Sequence, residues 1–279
     1  MAEEAAAAGF TPQVGDPAEI AARRGRKRRA KTDRADARLQ RELLERGEFP
    51  GCWVPPSAVA DWRQRLETYH DLRVQHTAWV QRIHAVLFRH GAPACGGLGT
   101  AAGRAALEDA CRAYLSRAGQ DQVTAALAQL ELAGAQMRAC RATVTAIARH
   151  VTGPVVLCRE LYGAGPVTAL AMTCWLGGEG RFSSSRKAVR FTGLDVTVYS
   201  SAGKRSPGHL SRQGPPVLRW CLYEAGKTSA RAGAPGCQYY TQVKDRIDGK
   251  RAALPEARRL TRRGMHILDA LGGDAFAPC

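Results

Sequence analysis

Apolar residues recur along residues 57–90 at a spacing close to three and a half. Val59, Leu66, Arg73, Val80 and Leu87 fall on one heptad position, and Trp62, Tyr69, His76, Ile83 and His90 fall on the other. A repeat sustained that long predicts a coiled coil or a long helical hairpin. A second run follows in Val123, Leu130, Met137, Val144 and Val151, with Leu127 and Ala148 on the companion row. Residues 91–103, rich in Gly and Ala and containing Pro93, are the predicted break between the two. The middle of the chain therefore reads as an antiparallel hairpin arm. Arg73 and two histidines in the seam depart from a pure coiled coil and mark possible contact with another chain or with nucleic acid. His76, His84 and His90 lack partnering carboxylates at helical spacing, so they read as core or rim histidines, not as metal ligands.

The pattern differs on either side of the arm. Residues 5–10 end a helix, 11–14 suit a short strand, and Asp16-Pro17 opens the next turn. Over 33–46 Ala35, Leu39, Leu43 and Leu44 form a helical stripe that Gly47 stops. Phe49-Pro50-Gly51 with Pro55-Pro56 reads as a linker. After the arm, Leu161-Tyr162-Gly163-Ala164-Gly165-Pro166 has the look of a helix-hairpin-helix turn. Glycine permits the tight turn, Pro166 suits the first helical position, and the next helix offers amides to a phosphate. Contact of Gly163 and Gly165 with a nucleic-acid backbone is one reading, and a plain helical connection is the other. The expected organisation is three parts, at 1–50, 51–152 and 153–279. The expected fold class is mainly α with a small α/β part.

Charge changes this picture from architecture to partner. The 279 residues carry a formal charge of +16, unevenly spread. Eight of the twelve residues from Arg23 to Arg34 are Lys or Arg. Residues 181–231 hold ten against Asp195 and Glu224, and 244–263 hold eight against three acids, whereas 103–150 are nearly balanced at six to four. Concentration at both ends points to a polyanion, with nucleic acid the natural choice. General solubility would spread the charge evenly. Nine singly spaced cysteines fit neither a metal finger nor a disulfide framework and point to a reducing, cytoplasmic setting. No apolar run approaches the roughly 18 residues of a membrane span. The first ten residues carry Glu3 and Glu4 and no basic stretch, unlike a signal peptide.

Two groups of residues could carry chemistry. Asp33 and Asp36 stand one helical turn apart, directly behind the basic run with Lys31 and Arg34 beside them. Two carboxylates on one helix face suit a divalent cation. Asp33 would equally suit the helix dipole, and Asp36 could pair with a nearby arginine. The second group is Ser201, in a Gly-containing loop with Lys204, Arg205 and His209 around it and Arg212 and Arg219 downstream. A serine needs activation to act as a nucleophile, and cations would steady the charge on a reacting phosphate. Ser200 and Ser201 could also be ordinary loop hydroxyls.

A resemblance weighs these alternatives. Phe182-Ser183-Ser184-Ser185-Arg186-Lys187, Phe191-Thr192-Gly193-Leu194-Asp195, Tyr199-Ser200-Ser201-Ala202-Gly203-Lys204-Arg205, Gly208-His209-Leu210-Ser211-Arg212-Gln213-Gly214 and Leu218-Arg219 stand beside Lys31-Thr32-Asp33 and Asp36-Ala37. Together they resemble the DEDD transposases of bacterial insertion sequences, in the family numbered one-hundred-ten and its relatives. The resemblance runs from about Gly9 to Leu268. It implies a RuvC-like (RNase H-like) nuclease part, a coiled coil, and a C-terminal helical domain carrying a catalytic serine, which Ser201 matches. Asp33 and Asp36 match the last two of four acidic ligands for Mg²⁺. The first Asp and the Glu of the set have no counterpart in this chain, so the expectation is an N-terminally truncated and impaired copy. The resemblance further implies DNA strand cleavage and exchange at element ends and target, a non-coding guide RNA, a homo-oligomer and a nucleoid-associated bacterial protein. A non-catalytic nucleic-acid-binding remnant is the alternative expectation.

Overall fold

The computed structural model describes residues 2–23, 32–201 and 204–279, the side chains of 2, 3, 6, 198–201 and 204–207 excepted. The described residues are mainly helical, with two small antiparallel strand pairs among them. It divides into two compact units, Met1–Pro56 and Ser57–Cys279.

The first unit holds helices α1 (Ala2–Ala7), α2 (Pro17–Ala22) and α3 (Asp33–Glu45) and strands β1 (Val14–Gly15) and β2 (Gly51–Cys52). The strands pair with Val14 opposite Cys52. Thus the strand expected at 11–14 lies at its C-terminal edge, and the expected linker contributes its partner. Asp16 caps α2 by accepting from the amides of Ala18 and Glu19, at 2.7 and 3.2 Å. Thr32 caps α3 by accepting from Ala35 N at 3.3 Å. Only Ile20 and Leu43 are fully buried in these helices.

The second unit begins with the arm. Helix α4 (Ser57–Arg89) runs antiparallel to α6 (Arg117–Arg149). Val59, Leu66 and Leu87 of one predicted row and Tyr69 and Ile83 of the other are buried, facing Val123, Leu130 and Val144. Trp62, Arg73, His76, Val80, His90, Leu127 and Met137 of the predicted rows are only half-buried. Between the two lies a helix that the glycine-rich composition concealed, α5 (Ala101–Tyr114). Thr100 caps it by accepting from Gly103 N at 3.1 Å. Gly103 is therefore inside a helix and not in the break, and a Cβ there would lie 2.1 Å from Gly97 O. That close approach folds α5 back, and Leu107, Ala110 and Leu115 complete a small core with Ile83, Leu87, Leu98, Val123 and Leu130. The tip is a three-helix knot of apolar side chains, not a bare loop. The histidines serve it. His84 Nε2 donates to Cys95 O at 3.0 Å, and His90 Nδ1 donates to Val86 O at 2.9 Å.

The remaining elements are α7 (Thr152–Glu160), α8 (Pro166–Leu176), α9 (Ser185–Phe191), β3 (Val196–Ser201), β4 (Lys204–Leu210), α10 (Pro216–Lys227), α11 (Cys237–Arg246) and α12 (Gly249–Leu271). Every residue of α8 from Ala169 to Leu176 is buried. A helix apolar all round belongs inside, and α8 packs against α4, α6, α7, α10 and α12. Arm and C-terminal helices, which the sequence divides at 152/153, are thereby joined in one unit. Truncating fully buried Leu170, Met172 or Leu176 to Ala costs about 2–5 kcal/mol each at such positions. Helices α10 and α12 meet through small residues, since a Cβ on Gly226 would stand 2.5 Å from Ala253 O. The chain end is stitched to the arm's root, with Thr152 N donating to Ala277 O and Cys279 N to His150 O.

Candidate functional site

Ser201 lies at the end of a strand, where the sequence suggested a loop. Strands β3 and β4 form an antiparallel hairpin in which Val196 faces Leu210, Tyr199 faces Ser206, Ser200 faces Arg205 and Ser201 faces Lys204. The run Val196-Thr197-Val198-Tyr199 is strand-forming. Pro207 is tolerated because a two-stranded sheet consists only of edges. The register sets the serine opposite a lysine at the hairpin's end. Lys31 and the side chains of Ser201, Lys204 and Arg205 lie outside the described residues.

The hairpin's root is held by a knot of backbone and side-chain bonds. Ser211 Oγ donates to Asp195 Oδ1, and Ser211 N donates to Asp195 O at 2.9 Å. Arg212 N donates to Gly193 O at 3.2 Å. Arg212 itself has φ +53°, a left-handed conformation that a non-glycine residue adopts only under constraint. Arg219 supplies part of that constraint, donating through one guanidinium nitrogen to Arg212 O at 3.1 Å and Gly214 O at 3.4 Å. From below, Arg258 Nε donates to Leu194 O at 2.8 Å. Gly214 is required here, because a Cβ would meet Phe191 O at 2.0 Å. Arg212 and Arg219 are thus brought together, one as the turn and the other as its staple. Burial, then Arg212, lowers the pKa of Arg219 from its usual value. His209 is exposed on β4, where its carbonyl accepts from Thr197 Oγ1 at 2.9 Å.

The two predicted glycines behave differently. Gly163 has φ +86° and stands against α10, where a Cβ would lie 2.3 Å from Thr228 Oγ1. Packing alone requires glycine there. Gly165 is exposed before α8, with open space where a side chain would be. In the first unit Asp33 and Arg34 are exposed, while half-buried Asp36 lines a recess of about 510 Å³ with Gly15, Ile20, Gln40 and Phe49. Asp33 does not line it. Among the described residues no group of three or more His, Cys, Asp or Glu is placed to hold a metal. Two carboxylates do not make a Mg²⁺ cage, which needs more oxygen ligands. The donor set described does not fit that ion by itself.

Several basic residues are structural. Arg63 donates through Nε and a terminal nitrogen to Cys174 O at 3.0 and 2.6 Å, and Arg181 donates to Trp175 O at 2.7 Å with its head over Phe182 and Phe191. Arg73 lies 4.3 Å over the Trp220 ring beside His70. Burial, then Arg73, holds the His70 pKa below its ordinary value, Arg219 adds to this and Asp71 opposes it. Other arginines converge on a cleft. Arg212, Arg246, Arg251 and Arg258 line a cleft of about 650 Å³ between the hairpin and helices α11 and α12. The charge of 244–263 is legible in the sequence, but this convergence with the hairpin exists only in the fold.

The hairpin, its root and the turn at 161–165 fall in one matched segment. Residues 157–241 match the transposase IS116/IS110/IS902 family. The match supports an insertion-sequence transposase, a DNA-cleaving and recombining enzyme, and with it DNA binding. No curated protein matches the chain. No helix among the described residues is long and apolar enough to cross a membrane.

Proposed function

We propose that the chain acts in DNA strand cleavage and exchange at insertion-sequence ends, with Ser201 as the nucleophile. The supporting observation is the hairpin register, which puts Ser201 opposite Lys204 and Ser200 opposite Arg205 inside the matched segment. In this reading the Ser201 hydroxyl attacks a backbone phosphate. A bond from serine oxygen to phosphorus forms as the bond to the departing strand's oxygen breaks, and the hydroxyl proton balances the charge on that oxygen. Lys204 and Arg205 steady the phosphate. His209, Arg212 and exposed Gly165 extend the backbone contacts, with Arg219 positioning Arg212. Strand rejoining reverses the step.

Asp33 and Asp36 would contribute two ligands of a divalent-metal set, Mg²⁺ being the suited ion, and no step here is routed through it. Their helix would then descend from a RuvC-like fold of DEDD type, with Lys31 and Arg34 contacting DNA nearby. Selection of sites by a guide RNA and a homo-oligomer holding two DNAs complete the proposal. A protein that leaves sequence reading to base pairing needs only backbone and shape contacts, which suits a chain with basic residues concentrated toward both ends.

The test is covalent capture of end-labelled element DNA by the full chain with Mg²⁺ and the element's RNA. Ser201→Ala should abolish the adduct while Ser200→Ala keeps it. Retention of the adduct by Ser201→Ala would exclude the serine. The lack of a three-ligand cluster among the described residues favours a second reading, binding without cleavage. It predicts salt-dependent DNA binding equal in wild type and Ser201→Ala, with no adduct in either.

A further inference from the structure

The cleft beside the hairpin has an uncommon lining. Its rim is cationic: Arg212, Arg246, Arg251 and Arg258 face it with His209, and no carboxylate is among the described lining residues, although Arg251 pairs with Asp248 at 3.3 Å beside it. The lining is also apolar in part. Tyr239 is 48% exposed, Ile247 47% and Val196 38%, so three large apolar side chains stay open to solvent where arginines converge. The volume of about 650 Å³ lies within the roughly 300–1,000 Å³ of small-ligand clefts. Arg258 is pre-positioned by its bond to Leu194 O, and so loses little freedom on meeting a phosphate.

Charge alone would suit any polyanion. The exposed apolar side chains discriminate. A duplex keeps its bases stacked inside and offers phosphates to a protein surface, which would leave Tyr239, Ile247 and Val196 against charged oxygens. A single strand offers phosphates to the rim and an unstacked base to an aromatic ring. We propose that this cleft seats a single-stranded nucleic-acid segment, one nucleobase stacked on Tyr239 and the flanking phosphates held by Arg246 and Arg258. The inference rests on the nucleic-acid part of the proposed function and is independent of Ser201. It places an unpaired stretch, of RNA or of opened DNA, between the hairpin and helices α11 and α12.

Fluorescence anisotropy of the full chain with labelled 12-nucleotide single-stranded RNA, single-stranded DNA of the same sequence, and the corresponding DNA duplex tests it. Tyr239→Ala should weaken single-strand binding about tenfold and leave duplex binding within about twofold. Tyr239→Phe keeps the ring and should bind as wild type. Arg246→Glu should weaken single-strand binding and lower its salt dependence by about one phosphate contact. The RNA and DNA arms identify which strand binds more tightly, and tight binding of either supports the seat. Equal losses for duplex and single strand in Tyr239→Ala, or no loss in both Tyr239→Ala and Arg246→Glu, overturn it. Duplex binding and covalent capture that persist without single-strand binding sink the cleft and leave the transposase reading standing. Failure to bind any nucleic acid sinks both.

Discussion

Arg63 and Arg246 carry the same side chain into different surroundings. Arg63 sits half-buried at the base of the arm, its head on the carbonyl of Cys174 and near the Trp175 ring. Arg246 is exposed in the last turn of α11, facing an open cleft among other cations. A charge total counts both alike. The structure separates arginines that complete the backbone hydrogen bonding of a joint from arginines that a ligand can reach. Arg219 and Arg258 stand between the extremes, each fastening a carbonyl while half-buried beside the hairpin.

Substitutions should widen or erase that difference. The largest effect is expected at the joint. Arg63→Ala leaves the Cys174 carbonyl without its charged donor and should destabilise the protein by about 2–3 kcal/mol, read as a lower midpoint in denaturant. A midpoint unchanged from wild type would remove Arg63 from the joint. A smaller effect is expected at His70, between Arg73, Arg219 and Trp220. Its folded pKa is depressed, so the unfolded chain binds the proton more readily. Stability from His70 is then present above the ordinary value of 6.5 and lost as pH falls through and below it. His70→Gln should flatten the fall in thermal midpoint between pH 7 and pH 5, and a slope identical to wild type would count against this. The smallest effect is expected at Arg246→Ala, with stability within about 0.5 kcal/mol of wild type. Comparing Arg63→Ala and Arg246→Ala by one melting assay tests the distinction directly.

What could be read in the sequence was whatever repeats locally. The seam of the arm follows from the heptad spacing of Val59, Leu66 and Leu87, because burial on one side of a long helix imposes that period. Helix α5 did not stand out, since Gly96, Gly97, Gly99 and Gly103 read as a loop. Its signals were nonetheless present in Thr100 as a cap and in the Glu108–Arg112 pair one turn apart, 2.6 Å in the structure. The hairpin was overlooked for another reason. Gly203 in the serine motif reads as a loop signal, although Val196-Thr197-Val198-Tyr199 just before it is a strand run. The cleft could not be read at all. Tyr239, Arg246 and Arg258 meet His209 only through the fold, and no spacing along the chain encodes that meeting.

Because α8 is buried from Ala169 to Leu176 and packs on both long helices, the arm is clamped at its root like a cantilever. At 33 residues α4 is about 50 Å long. A tilt of about 5° at the clamp would carry the tip through roughly 4 Å over that length. Repacking a single side chain beneath α8 would therefore be magnified at the far end, and a load applied to the tip would be felt as torque on the helices that carry the serine hairpin.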